Sequence, residues 1–267
     1  MNLTDIIKAR TSVRSYSGEP LRREQKQQIE EYINGLAQPL GGKARVVLVS
    51  VNTGVEPVKL GTYGVISGAK DYLVLAYEPG ELADQNAGYL FEQVVLLCTA
   101  MGLGTCWLGG TLKKGDFAEQ AKLRDSEVLR IVSPVGFPAD QQKFRDRIMR
   151  MGAGSDKRKP FGDLFFDGNF DKTLTEDAAG VYREALEMVR LAPSASNTQP
   201  WRVVVDGESL HFYYAEKLRF SAIDIGIAIC HFGEVCRESG IEGAFKVLNE
   251  GDYPIGEKLV YTISWIK

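Results

Sequence analysis

The chain is poor in the residues that ligate metals. It has two His, at positions 211 and 231, and four Cys, at 98, 106, 230 and 236, with no C-x-x-C pair. A structural zinc site, whose ligands come in close pairs, is therefore not expected. Nothing requires disulfides, and a reduced cytoplasm is the expected setting. A basic excess is also missing: 32 Lys and Arg face 35 Asp and Glu, for a net charge of −3. That argues against a non-specific nucleic-acid binder but leaves room for a local basic pocket. The N-terminal MNLTDIIKAR has no long apolar core and no cleavage pattern, so it does not read as a signal peptide. The charge-free run 94–112 is broken by Gly102, Gly104, Gly109 and Gly110 and diluted by Thr99, Thr105 and Thr111. It fits a buried helix entering a glycine loop better than a membrane span.

What is present is ordinary for a globular protein. The 267 residues are 44% hydrophobic and 25% charged, which suits one or two domains. Thr4 and Asp5 can start a short helix that ends near Arg10. A second is expected over 21–36, with Ile29, Tyr32, Ile33 and Leu36 on one stripe. ARVVLVSV (44–51) and YLVLAY (72–77) read as strands. Residues 86–102 form a long helix, apolar nearly all round and hence central. A polar helix over 114–123 and a strand over 128–137 follow. Thr175, Glu176 and Asp177 favour the start of a helix that runs to Arg190. Strands are expected at 201–205 and 210–215, joined through Asp206-Gly207. A second apolar helix over 222–238 and a strand in KLVYTISWIK close the chain.

This order repeats: helix, strand, strand, long apolar helix, strand. At an offset of 138 residues, Tyr72–Tyr77 falls on Leu210–Ala215, Gly88 on Gly226, Cys98 on Cys236 and Gly102 on Gly240. A unit of that size points to a duplicated half-domain, not a solenoid.

Four segments carry possible chemistry. ARTSVRSYS (9–17) groups Arg10, Ser12 and Arg14, which can surround a phosphate with charge-assisted bonds or can form a solvated basic helix end. GLGTCWLGG (102–110) has neither dinucleotide-binding nor P-loop spacing. It leaves a backbone able to approach something flat, or simply a helix end and turn. APSASNTQPW (192–201) concentrates small polar side chains on a rigid backbone that could face a planar heterocycle, although turns also favour Ser, Asn and Pro. SDKRKP (155–160) reads alone as a solvated linker. Cys106 has no evident base or cation beside it and reads as packing. Cys98, Cys230 and Cys236 read as core, and neither His belongs to an evident Ser–His–acid order.

Together these segments resemble the FMN-dependent nitroreductase family, over essentially the whole chain. Arg10-Thr11-Ser12-Val13-Arg14 is similar to its phosphate and flavin motif, and Ala192 to Trp201 resembles its most recognisable signature. Gly102 to Gly110 is similar to its flavin-contacting turn, and Lys157-Arg158-Lys159-Pro160 to its late phosphate-binding segment. Ordinary members carry the first two motifs close together and form homodimers with two flavins between subunits. Here 179 positions separate Arg14 from Pro193. The first half has no Ser-x-x-Asn loop in GLAQPLGGKARVV. The second has TLTEDAAGVYREAL in place of the arginines and ESGIEGAFKV in place of the Cys-Trp-Gly-Gly turn. The pattern resembles a branch in which two fused halves form a single-chain pseudo-dimer.

The resemblance implies an α+β, nitroreductase-like fold, internally duplicated, with mixed sheets and two long central helices. The expected divisions are a first half over 1–160, a linker over 161–174 and a second half over 175–267. One FMN is expected between the halves. Arg10, Arg14 and Arg158 would neutralise its phosphate, with Thr11 and Ser12 beside them. Trp107, Leu108, Gly109 and Gly110 would line one side, and Pro193, Ser194, Ala195 and Asn197 the other. The second, degenerate cleft would be filled by side chains, with the stretch 53–69 as a source. The implied reaction is ping-pong transfer from NADH or NADPH to a nitroaromatic, quinone or similar small acceptor. A flavin-binding or sensing protein with little turnover, or a flavin enzyme that does not use pyridine nucleotides, is the alternative. No catalytic side chain and no metal are expected. The expected partners exclude nucleic acid and membrane, and a monomer is favoured.

Overall fold

The computed structural model describes residues 1–50, 66–110, 114–139, 157–216 and 219–267. Positions 53–65 of the 53–69 stretch, and 155–156 of the basic run, lie outside the described residues. The chain divides into two compact units, neither continuous in sequence. One comprises Ala9–Ala83 and Leu90–Ala153. The other comprises Met1–Lys8, Asp84–Tyr89 and Gly154–Lys267.

The unit of Ala9–Ala83 and Leu90–Ala153 is built on a sheet of order β1-β2-β4-β3: β1 (Ala44–Ser50), β2 (Asp71–Tyr77), β3 (Gly104–Thr105) and β4 (Val128–Gly136). All its pairings are antiparallel. β2 is buried along its whole length, which explains its unbroken apolar run. Helix α2 (Arg23–Asn34) buries Ile29 completely but leaves Tyr32 37% exposed, so its apolar stripe is narrower than the periodicity suggests. The start of β2 is pinned by a buried carboxylate. Asp71 accepts from the Leu21 amide at 2.8 Å and from Ser50 Oγ, and it pairs with Lys26 of α2 at 2.8 Å. Helix α4 (Lys114–Gln120) places Phe117 edge-on to Tyr72.

The second unit carries a five-stranded sheet, β5-β6-β7-β9-β8: β5 (Phe165–Asp167), β6 (Trp201–Asp206), β7 (Ser209–Tyr214), β8 (Ala244–Lys246) and β9 (Val260–Ile266). β5 adds in parallel to β6, and the other pairings are antiparallel. The short strands β5 and β8 gave no sequence signal. Phe212, Phe232, Phe245 and Trp265 meet edge to face, with centroids 5.0–6.5 Å apart, and close its core. The helix expected from Thr175 begins later. The Thr175 hydroxyl does accept from the Ala178 amide at 3.2 Å. But Gly180 takes φ +55°, and the regular helix α5 is Arg183–Leu191. Helix α1 (Leu3–Ala9) docks its first amide, Leu3 N, on both oxygens of Glu238.

The two sheets share a connectivity. Two strands, a long helix, a short strand and a closing strand follow one another in each, and in each the short strand lies outside the closing one. The long helices, α3 (Ala83–Ala100) and α6 (Ser221–Glu238), have 18 residues each and lie at the same 138-residue offset. Each ends on a left-handed glycine, Gly102 at φ +74° and Gly240 at φ +68°. The amide of the next residue, Leu103 or Ile241, donates to the carbonyl of Cys98 or Cys236.

Gly88, in the first turns of α3, and Gly226 of α6 meet backbone to backbone. A Cβ on Gly226 would stand 2.0 Å from the Gln85 carbonyl oxygen, and one on Gly88 would stand 2.2 Å from that of Ile223. Gly226→Ala should therefore destabilise the fold by about 3 kcal/mol or more, the upper range for overpacking against rigid backbone. Gly207→Ala, at φ +61° with open space around it, should cost only about 1 kcal/mol. Urea denaturation of the two variants checks this, and equal losses would show that the helix contact yields.

Candidate functional site

Most of the residues singled out in the sequence fall into two clusters, one in each unit. In the first unit the segment 12–17 is held by main-chain bonds. Val13 N donates to Thr105 O at 2.8 Å, Ser67 N to Arg14 O at 3.0 Å, and Ala139 N to Ser15 O at 3.0 Å. Ser12 bridges Thr105 in parallel. Gly104 permits this approach, because a Cβ there would stand 2.7 Å from the Val13 side chain. The basic motif and the glycine-rich turn, distant in sequence, are thus adjacent. Thr11 is exposed and Arg14 half-buried.

Arg10 is more enclosed than its motif suggests: its side chain is 8% exposed. Its Nε lies 4.0 Å from Glu92 Oε1 and has no hydrogen-bond partner among the described residues. Glu92, on α3, is fully buried and accepts from Trp107 Nε1 at 3.0 Å. Trp107 in turn packs edge-on to Phe91 at 4.8 Å. Glu92 thereby joins the basic motif, the long helix and the turn. Sequence reading passed over it, although a lone acid within the apolar run of α3 was the available signal, since carboxylates are rarely buried without a partner.

After Trp107 the turn pairs Leu108 with Val132 through two 2.9 Å main-chain bonds and runs out to exposed Gly110. Cys106 packs in the core with Tyr16, Val74 and Val132. Its amide donates to Ser133 Oγ at 2.9 Å.

The other unit gathers Arg158 with the loop 192–200. Arg158 donates to Asn197 Oδ1 at 3.3 Å and to Leu191 O at 3.2 Å. Asn197 Nδ2 donates to Lys157 O at 2.8 Å. Gln199, not singled out from the sequence, is buried and central. Its Oε1 accepts from Lys159 N at 2.8 Å, and its amide N donates to Ser194 Oγ at 2.9 Å. Ser196, Asn197 and Gln199 all hold left-handed conformations, with φ between 48° and 53°. Three such non-glycine residues among four positions store backbone strain, which these hydrogen bonds hold in place. Pro193 and Ser194 lead into the loop. Ala195 N donates to both oxygens of Asp224, at 3.0 and 3.1 Å.

Asp224 is a second buried carboxyl that the sequence reading missed. It lies on α6, 3% exposed. Burial pushes its pKa up to about 7, opposed by the bond from the Ala195 amide. Burial likewise pushes the Cys98 and Cys236 thiols up to about 12, so neither is a ready thiolate. His231 Nδ1 lies 2.8 Å from Met188 O and His211 Nδ1 lies 2.7 Å from Ser264 Oγ, each deep in its own layer. Among the described residues no cluster of His, Cys, Asp and Glu could hold a metal ion, and no helix is long and apolar enough to cross a membrane.

The fold is nitroreductase-like, with mixed α and β content, two sheets and six helices among the described residues. A family model described as "Putative TM nitroreductase" matches residues 2–235, and the chain belongs to that family. It shares its fold with a protein of Thermotoga maritima MSB8 named a "putative nitroreductase", at 23% identity and a TM-score of 0.63. That match covers 100% of this chain and 94% of the other. A nitroreductase family protein of Clostridium difficile 630 aligns at 16% identity and a TM-score of 0.46, over 61% of this chain and 96% of its own. An FMN-dependent nitroreductase of Clostridium difficile R20291 aligns at 14% identity and a TM-score of 0.42, over 51% and 87%. A comparison with curated proteins finds no match.

Removing the Glu92 carboxylate would leave the Trp107 N–H without its acceptor and Arg10 without its ion-pair partner. Glu92→Ala should lower stability by about 3–5 kcal/mol, the range for breaking a buried ion pair. Glu92→Gln should lose less, because its amide oxygen can still accept from Trp107. Chemical denaturation of both variants tests this; a loss below about 1 kcal/mol in Glu92→Ala would remove Glu92 from the support of the cluster.

Proposed function

We propose that this protein is an FMN-dependent oxidoreductase that carries electrons from NADH or NADPH to a nitroaromatic, quinone or similar small acceptor. Arg10 carries the reading. It is a cation with nine-tenths of its side chain buried and a hydrogen-bond donor left over, in the segment that resembles a flavin-phosphate motif. A phosphate dianion is the chemical partner that such a donor suits.

The buried Arg10 donor suits a phosphate, and the other motif residues have the chemistry to complete such a site. Arg10, Arg14 and Arg158 would neutralise the phosphate, and Thr11 and Ser12 would offer hydroxyls beside it. Trp107 to Gly110 would present a backbone surface, with Trp107 held in place by Glu92. Pro193, Ser194, Ala195 and Asn197 would approach the flavin from the second half. When bound, FMN supplies the electron transfer itself. The chain's own part is to hold, orient and enclose. None of these side chains is required as a proton donor at the reacting atoms, and no catalytic residue is assigned.

We infer further that the chain is an internal duplication acting as a monomer with one FMN, located in the cytoplasm. The shared strand order, the equal helix lengths and the common offset support the duplication. The single copy of each motif, one in each half, supports one flavin per chain, because fusion already supplies both of the partners that an isologous dimer would bring together.

The purified protein should show a flavin visible spectrum that bleaches on anaerobic addition of NADH or NADPH and recovers with menadione. Released FMN should approach one equivalent per 29.5 kDa chain, and light scattering should give a single-chain mass. Arg10→Ala and Arg158→Ala should each weaken FMN by about 1.5–3 kcal/mol, the range for hydrogen bonds to charged groups. Riboflavin affinity should change far less. FMN bound equally well by the double variant would defeat the phosphate assignment, and bound FMN that neither nucleotide reduces would defeat the proposed reaction.

A further inference from the structure

We infer that Asp224 is the positioning residue of the 194–199 loop, and that its ionised form holds the loop in flavin-binding shape. The inference rests on the flavin reading above and extends it to a residue outside the recognised motif. Asp224 approaches the loop from α6 and clasps one main-chain amide, that of Ala195, between its two oxygens. The next residues in the chain are the strained ones. Ser196 and Asn197 follow Ala195 directly in left-handed conformation, and Gln199 completes the set. From Ala195 onward the loop's other described bonds are internal, run to the Lys157–Lys159 segment or come from Arg202 to Gln199 O, including Thr198 Oγ1 to Ala195 O and Gln199 N to Ser194 Oγ. The Asp224 contact is the one described bond that ties Ala195 to α6, a helix buried along most of its length.

The charge matters because of where it lies. Among the described residues no charged side chain contributes to the Asp224 shift. Burial disfavours the anion and the Ala195 N–H favours it. The amide donates more strongly to a carboxylate than to a neutral carboxyl. Loop anchoring should therefore weaken as pH falls through about 7. Fold stability should move the other way. A carboxyl raised in the folded state contributes stability that is full below its unfolded value and is lost as pH rises through the folded one. The anion is held at a cost to the fold, which is the pattern of a group kept for its site.

Asp224→Asn keeps an acceptor for Ala195 but cannot ionise. Riboflavin is the probe, because it has no phosphate to titrate. In the wild-type chain its affinity should rise about fivefold to tenfold from pH 6 to pH 8, the difference between a neutral and a charge-assisted hydrogen bond. In Asp224→Asn it should be flat and near the low-pH value. The melting temperature of Asp224→Asn should exceed wild type at pH 8 and by a smaller margin at pH 5, converging with it only below the carboxyl's unfolded value, whereas a residue needed only for structure would lower it throughout. A measurement on the wild-type chain alone guards against a variant that fails to fold: the Ala195 amide resonance should titrate with a midpoint near 7. A pH-independent Ala195 amide, or the same riboflavin profile in both chains, overturns the inference. If neither riboflavin nor FMN binds wild type at any pH, the flavin reading fails, and the Ala195 titration by itself then decides whether Asp224 sets the loop.

Discussion

The contact between Gly88 and Gly226 is the constraint on which much else depends. Two helices can bring their backbones this close only where neither carries a Cβ, and here carbonyl oxygens occupy the space that side chains would need. A crossing that tight removes water from both helices around it. Both are accordingly apolar on nearly every face, with Ile223, Ile225, Ile227 and Ile229 buried in succession along α6. It also sets the depth of what stands nearby in sequence. Glu92 follows Gly88 by one helical turn, and Asp224 precedes Gly226 by two residues. Asp224 is buried beside this crossing, and Glu92 is buried one turn further along α3.

Those carboxyls solve the burial of charge in different ways. Glu92 has a cation at 4.0 Å and an indole N–H at 3.0 Å. Asp224 has a single main-chain amide and no described cation, and burial raises its pKa accordingly. Neither arrangement is what a chain optimised for stability alone would choose, since buried ions are costly even when paired. The same holds for the loop that Asp224 anchors. Left-handed Ser196, Asn197 and Gln199 are unfavourable conformations, held by a network that Gln199 organises from the interior. Buried charge and backbone strain occur together in the segments that resemble flavin motifs.

The expected elements emerged where side-chain periodicity had one interpretation. The long helices, the buried strands β2 and β7 and the turn at Gly207 depend on local pattern and were readable from it. The misses have local causes as well. The helix expected from Thr175 has its cap, but Gly180 in left-handed conformation separates the cap from the regular turns. β5 and β8 are three residues long, too short for alternation to register. Tyr32 lies on the apolar stripe of α2, yet it is left 37% exposed.

By itself, the sequence determined the class of elements, their order, the 138-residue echo between the long helices and the segments that carry the chemistry. Each of these is written in spacing along the chain, and spacing survives without coordinates. Only the tertiary structure decided which segments meet. The basic motif lies against Thr105 because Gly104 lets Val13 approach, and Arg158 joins Asn197 because the Gln199 side chain ties the two strands of chain together. Glu92, Asp224 and Gln199 stayed invisible for the same reason. An acid or amide in a sequence declares its charge or its donors, but its burial, and therefore its role, depends on what the rest of the chain places around it.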